Sequence, residues 1–136
     1  MKKIVDIYWC ADDGTRFDNE DDCIRYEETK IFNLIFENLE CYDANEKRLM
    51  PNEDNIPDDI FFIRVKGSWE NETNAFIALC DYLKDNGEEY QWIPFAYKEL
   101  IGDVLMWKDH GFKGEWLSMG AEIDNLIAQA ERLGIL

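Results

Sequence analysis

Thirty acids, fourteen bases and a single histidine bound the chemistry open to this 136-residue chain. An acid–base reaction near neutral pH would run most naturally through His110, which follows Asp109. Its Asp-His-Gly setting fits a turn residue, and spacing places no serine or cysteine beside it as a nucleophile. Cys10, Cys23, Cys41 and Cys80 lie far apart with no CxxC pair, which with one histidine disfavours a zinc site. The adjacent acids Asp12-Asp13, Asp21-Asp22 and Asp58-Asp59 lack the glycine-bearing loop of a calcium site. Neither GxGxxG nor GxxxxGK[ST] occurs, so no phosphate loop is readable. Many carboxylate pairs exist for hydrolysis, but spacing singles out none. The expectation is a chain without enzymatic activity, cofactor or bound metal.

Charge and aromatic surface remain. The net charge of −16 is spread along the chain, −10 over residues 1–60 and −6 over residues 61–136. Such a field repels nucleic-acid phosphates and anionic lipid and steers the chain toward a basic protein surface. Two arrangements follow. Asp12, Asp13 and Asp18 crowd a turn before the first expected helix, and Asp22, Glu37 and Glu40 fall on its outer face, so these six form a candidate partner-binding surface. The competing explanation is charge kept for solubility alone. Trp92, Tyr97, Trp107 and Trp116, with Phe112 nearby, crowd the last third and form a candidate ligand pocket, although most of them are expected in the core.

The elements that must position these residues are readable from periodicity. Val5, Ile7 and Trp9 alternate with Asp6, Tyr8 and Cys10, the pattern of a strand with one buried face. Gly14 follows in a turn, and Asp18 or Asn19 caps a helix over 19–41. That helix turns Ile24, Ile31, Leu34, Ile35 and Leu39 to one side, with Phe32 and Phe36 widening the stripe. Glu28 interrupts the stripe, as it would if the first turns overhang the sheet. Residues 42–59, polar and carrying Pro51 and Pro57, read as a long loop and a candidate mobile or binding insertion. Ile60 to Lys66 reads as a central strand, and Trp69 to Leu83 as a helix closed by Asn86-Gly87. Glu89 to Phe95 reads as a strand that Pro94 confines to an end or edge. Val104–Trp107 and Phe112–Leu117 make a hairpin, and Ser118 caps a last helix with Ile123, Leu126, Ile127, Ala130 and Leu133 on one face. The fold class is α+β: a single domain over 1–136, with a mixed or mainly antiparallel sheet of about five strands packed with three helices.

A composition of 46% hydrophobic and 14% aromatic residues supports a packed core without staples, so reduced thiols in a cytoplasm are expected. The start MKKIVDIYW lacks a signal-type apolar run, and no segment approaches the ~20 apolar residues of a membrane span. The run Asp13-Gly14-Thr15-x-Phe17 followed by Asp22-Cys23-x-x-Tyr26-Glu27 resembles the opening of small, uncharacterised acidic accessory proteins of phages and mobile elements of Gram-positive bacteria. The likeness covers about thirty residues, and more loosely Glu115-Trp116-Leu117 before the last helix; it excludes the apolar half of the first helix and the Pro51-to-Pro57 loop. The resemblance implies an accessory product acting in the bacterial cytoplasm and carries over no catalytic residue. The functional expectation is a non-enzymatic inhibitor that binds a basic surface of a host defence or nucleic-acid-processing protein, as a nucleic-acid mimic. The alternative is a small-molecule-binding protein using the aromatic last third, and the oligomeric state is monomer or homodimer.

Overall fold

The computed structural model describes residues 1–2, 7–52, 54–67, 69–85, 89–91, 101–109 and 113–136. A six-stranded sheet organises the chain: β3 (Glu40–Tyr42), β4 (Arg48–Leu49), β5 (Phe62–Arg64), β6 (Glu89–Gln91), β7 (Val104–Asp109) and β8 (Lys113–Ser118). Their order is β4-β3-β5-β7-β8-β6, antiparallel except for the parallel edge pair β6–β8. The chain is α+β as expected, and β5 is central as its apolar run predicts. β6 lies at an edge, and Trp92 to Phe95, the rest of that expected strand, fall outside the described residues.

Cross-strand partners share a face, so the register sorts the sheet into two sides. Leu49, Cys41, Ile63 and Leu105 line up across four strands and are all buried. Against this inner side pack Ile35, Phe36 and Leu39 of α1 (Glu20–Asn38) with its C-cap, and Ala75, Phe76, Leu79, Cys80 and Leu83 of α2 (Trp69–Asp85). Trp107 and Trp116 pair in register on this side, ring centroids 5.0 Å apart, and Phe76 meets Trp116 edge-on at 5.9 Å. Gly114 admits this stack, since a Cβ there would fall inside the Trp107 ring. Arg48, Tyr42, Phe62, Met106 and Leu117 form the matching row on the outer side.

Four expectations need correction. The first strand is a separate ribbon, β1 (Trp9–Cys10) with β2 (Arg16–Phe17), laid beside α1. Ile7 and Trp9 are therefore exposed instead of forming a buried face, and Val5 lies outside the described residues. The helix expected over 19–41 ends at Asn38, because Cys41 is drawn into the sheet between Leu49 and Ile63. Its stripe is buried only toward that end: Ile35 and Leu39 are core, whereas Ile24, Ile31 and Leu34 are exposed. Residues 42–59 do not form a structureless loop, for Asp43 accepts the Asn45 and Lys47 amides at 2.9 Å in a β3–β4 hairpin turn and Pro57–Asp59 make a 3-10 turn. Asn19, not Asp18, caps α1 by accepting the Asp21 amide at 2.7 Å. Glu28 is solvent-exposed where the helix overhangs, as expected.

Ser118 caps the last helix, α3 (Met119–Arg132), and Gly134 ends it at φ +75°. Asp103 fastens its start by accepting the Ser118 hydroxyl and the Gly120 amide, the latter at 3.0 Å. Burial pushes the Asp103 carboxyl up, but these bonds outweigh it and hold it below its ordinary value. No helix among the described residues is long and apolar enough to cross a membrane.

Candidate functional site

The six candidate acids occupy four different places. Asp12 and Asp13 sit in the β1–β2 turn, which Gly14 closes at φ +90° by donating its amide to the Ala11 carbonyl at 2.9 Å. The turn is tied to α1: the Asp12 amide donates to Glu27 Oε1 at 3.1 Å. Asp13 Oδ2 accepts the Tyr26 hydroxyl at 2.6 Å and pairs with Lys30 Nζ at 2.7 Å. Lys30, then Tyr26, then the Thr15 amide hold the Asp13 carboxyl well below the usual carboxylate range, and Asp13 in turn keeps Lys30 protonated. Asp13 is thus committed within the chain, fixing the ribbon to the helix.

Asp18 and Asp22 flank the helix start with Glu20 and Asp21, all exposed. Three of them stand in the first turn, where a helix N-terminus carries about half a positive charge. Glu37 is exposed on the same helix, but fifteen residues beyond Asp22, or about 22 Å at 1.5 Å per residue. Arg25, Thr29 and Asn33 occupy the surface between, facing a groove of about 640 Å³ closed by Pro51 and Asn52. The negative surface is therefore concentrated at the helix start.

Glu40 is not on the helix. It lies in β3, on the outer side of the sheet, opposite Arg64. Its carboxylate gathers Lys66 Nζ at 3.3 Å, Arg64 Nε at 3.4 Å and Arg48 Nη1 at 3.6 Å, and also accepts the Tyr42 hydroxyl. The Tyr42 bond, opposed by burial and aided by Lys66 and Arg48, holds its carboxyl below the ordinary value. Three cations around one carboxylate make this a basic spot in an acidic chain. Beside it a cavity of about 340 Å³ is lined by Tyr42, Glu46, Phe62, Arg64, Val104 and Met119. Sequence reasoning missed this constellation because its members come from β3, β4, β5 and β7 and meet only through the register; the alternation Glu40-Cys41-Tyr42 was its one local signal.

Of the expected aromatic pocket, Trp92 and Tyr97 lie outside the described residues, as do Phe112 and His110. Trp116 is core at 2% exposure and Trp107 packs on it. Three of the four cysteines are buried and all are unpaired. Burial pushes the Cys41 and Cys80 thiols up to about 12, the opposite of an activated nucleophile. Among the described residues no three His, Cys, Asp or Glu side chains gather as a metal site.

Compared with protein-family models, curated proteins and solved structures, the chain matches none of them.

Proposed function

We propose that this chain is a non-enzymatic binding protein of the bacterial cytoplasm whose acidic helix start seats on a basic surface of another protein, one that handles nucleic acid. The observation that carries this is the distribution of cations. Lys30 is taken by Asp13 and Arg16 lies over the Tyr8 ring, whereas Asp18, Glu20, Asp21 and Asp22 are exposed and make no ion pair among the described residues. Carboxylates held on a capped helix compete with phosphates for Lys and Arg with little ordering cost, and such contacts weaken with salt. The resemblance to phage accessory proteins supports a host defence or nucleic-acid-processing protein as the target, and buried unpaired thiols support a reducing compartment.

The test is capture of a host protein from bacterial lysate on the immobilised chain, followed by binding at ~50 and ~500 mM salt. Retention should fall steeply with salt, duplex DNA should compete, and Asp18→Lys with Asp22→Lys should abolish capture. A partner held equally at both salt concentrations, or by the double variant, refutes the proposal.

One observation favours a second reading, small-molecule binding: the 340 Å³ cavity that places Arg64 beside Tyr42 and Phe62. Native mass spectrometry of the protein purified from host cells should then show a retained ligand that Arg64→Ala loses.

A further inference from the structure

We propose that α3 is a self-association element that pairs antiparallel with α3 of a second copy of this chain. The helix is fastened at its start by Asp103 but contains no buried residue. Met119, Ile123, Leu126, Ala130 and Leu133 recur along it at alternating steps of four and three, the seam of a two-helix coiled coil, and Ile127 flanks them. A helix that packed on its own domain would bury such a seam; here Ile123, Leu126, Ile127 and Leu133, with Ile135 and Leu136 beyond, are 43 to 74% exposed. At about 190 Å² for a fully exposed Ile or Leu residue, the first four leave roughly 430 Å² and Ile135 with Leu136 bring the exposed residue surface to roughly 700 Å², against the ~300–600 Å² patch a monomer ordinarily shows and the ~800 Å² per partner of a standard interface.

Charge selects the occupant and the orientation. Glu122 and Gln129 border the seam on one side and Gly120, Ile127 and Gly134 on the other, while Asp124, Glu131 and Arg132 lie away from it. A surface this poor in charge is no match for a basic partner, which belongs at the acidic start of α1. In an antiparallel pair Glu122 meets Gln129 of the second copy, so no like charges face one another, and Ala130 lets the helices approach closely. The helix dipoles oppose favourably. The fourteen residues span about 21 Å, so the two acidic domains fall at opposite ends, beyond the ~8 Å screening length at physiological salt. Parallel pairing would instead set two −16 bodies side by side.

Sedimentation equilibrium of the full chain at roughly 5–100 μM, the range in which standard-size interfaces of modest quality associate, should give twice the 16.1 kDa chain mass. Association should tighten at high salt, opposite to the salt response of the acidic site, so the two proposals fail separately. Leu126→Glu, at a position exposed in the monomer, should leave the circular dichroism spectrum unchanged and raise the dissociation constant at least ~30-fold, the scale of a central interface residue. Asp124→Lys should change neither. In a Cys10→Ser background under a mild oxidant, Glu122→Cys mixed with Gln129→Cys should give a disulfide-linked pair. Self-linking of Glu122→Cys in preference overturns the antiparallel arrangement. A wild-type monomer throughout the range, whether its α3 is bare, covered by its own chain or reserved for another protein, overturns the proposal, as does a dimer that persists in Leu126→Glu.

Discussion

Replacing Glu40 by lysine would place a fourth cation among Arg48, Arg64 and Lys66. The carboxylate now lies 3.3 to 3.6 Å from all three, with its side chain 16% exposed and theirs 40 to 49%. Pairs this open to water contribute about 0.5–0.7 kcal/mol each, so Glu40→Gln, which keeps an acceptor for Tyr42, should cost about 1.5–2 kcal/mol. Glu40→Lys loses the same attraction and, with its ammonium turned to about 6–8 Å from each cation, adds repulsions of about 0.5–0.7 kcal/mol apiece at water-like screening, roughly 3–4 kcal/mol in all. For a chain of this length that lowers Tm by about 10–15 °C. Asp22→Lys with Glu37→Lys should stay within about 1 kcal/mol, because both side chains are exposed and unpaired among the described residues. Thermal and urea unfolding, followed by tryptophan fluorescence at ~50 and ~500 mM salt, separates these cases, and the Glu40→Lys deficit should shrink at high salt. A Glu40→Lys protein melting within ~2 °C of wild type, or with a salt-independent deficit, would show that the cluster makes no net contribution. The pH dependence has a definite sign. The Glu40 carboxyl is held below its ordinary value of 4.5, so its stabilisation is complete above that value and disappears as pH falls through the folded-state value beneath it. Glu40→Gln should flatten that part of the acid limb.

Gly114→Ala should destabilise the chain by about 1–3 kcal/mol despite the better strand propensity of alanine, since the new methyl group collides with the Trp107 ring; a Trp107→Leu background should recover most of the loss in urea unfolding. The Cys41 and Cys80 thiols stay protonated to about 12 in the folded state, whereas the unfolded chain ionises them near 9, so stability should fall above pH 9 by about 1.4 kcal/mol per pH unit for each thiol. Urea midpoints from pH 8 to 10.5 check this, and Cys80→Ala should remove about 1.4 kcal/mol per pH unit from the slope. Glu72, buried in α2, accepts the Lys66 and Gly67 amides at 3.1 to 3.2 Å, so Glu72→Ala should cost about 1–3 kcal/mol in thermal unfolding by removing the charged acceptor of these half-buried bonds, and Glu72→Gln less.

Local pattern was enough for the elements whose neighbours in sequence are also neighbours in space. The cap of α1, the stripe of α2, the β7–β8 hairpin and the Ser118 cap rest on interactions within a few residues and are legible in residue type and spacing. The run Ile60 to Lys66, although its partners β3 and β7 are distant in sequence, is legible because its apolar composition marks an interior strand whichever strands flank it. Apolar periodicity alone does not say what covers an apolar face. The same signal gave Ile35 a place in the core and left Ile24 and Ile31 in water, and it marked α3 as strongly as α2 although only α2 is buried. The β3–β4 hairpin was hidden because its strands are two or three residues long, too short to show alternation. The acids show the division most clearly. Their number and the total charge of −16 belong to the sequence and already argue against binding nucleic acid directly. Which of them remain available was decided by the tertiary structure: the turn brought Asp13 to Lys30 across seventeen residues, and the register brought Glu40 to Arg64 across twenty-four. A carboxylate's field in solution depends on the cation beside it, and that neighbour is chosen by the fold.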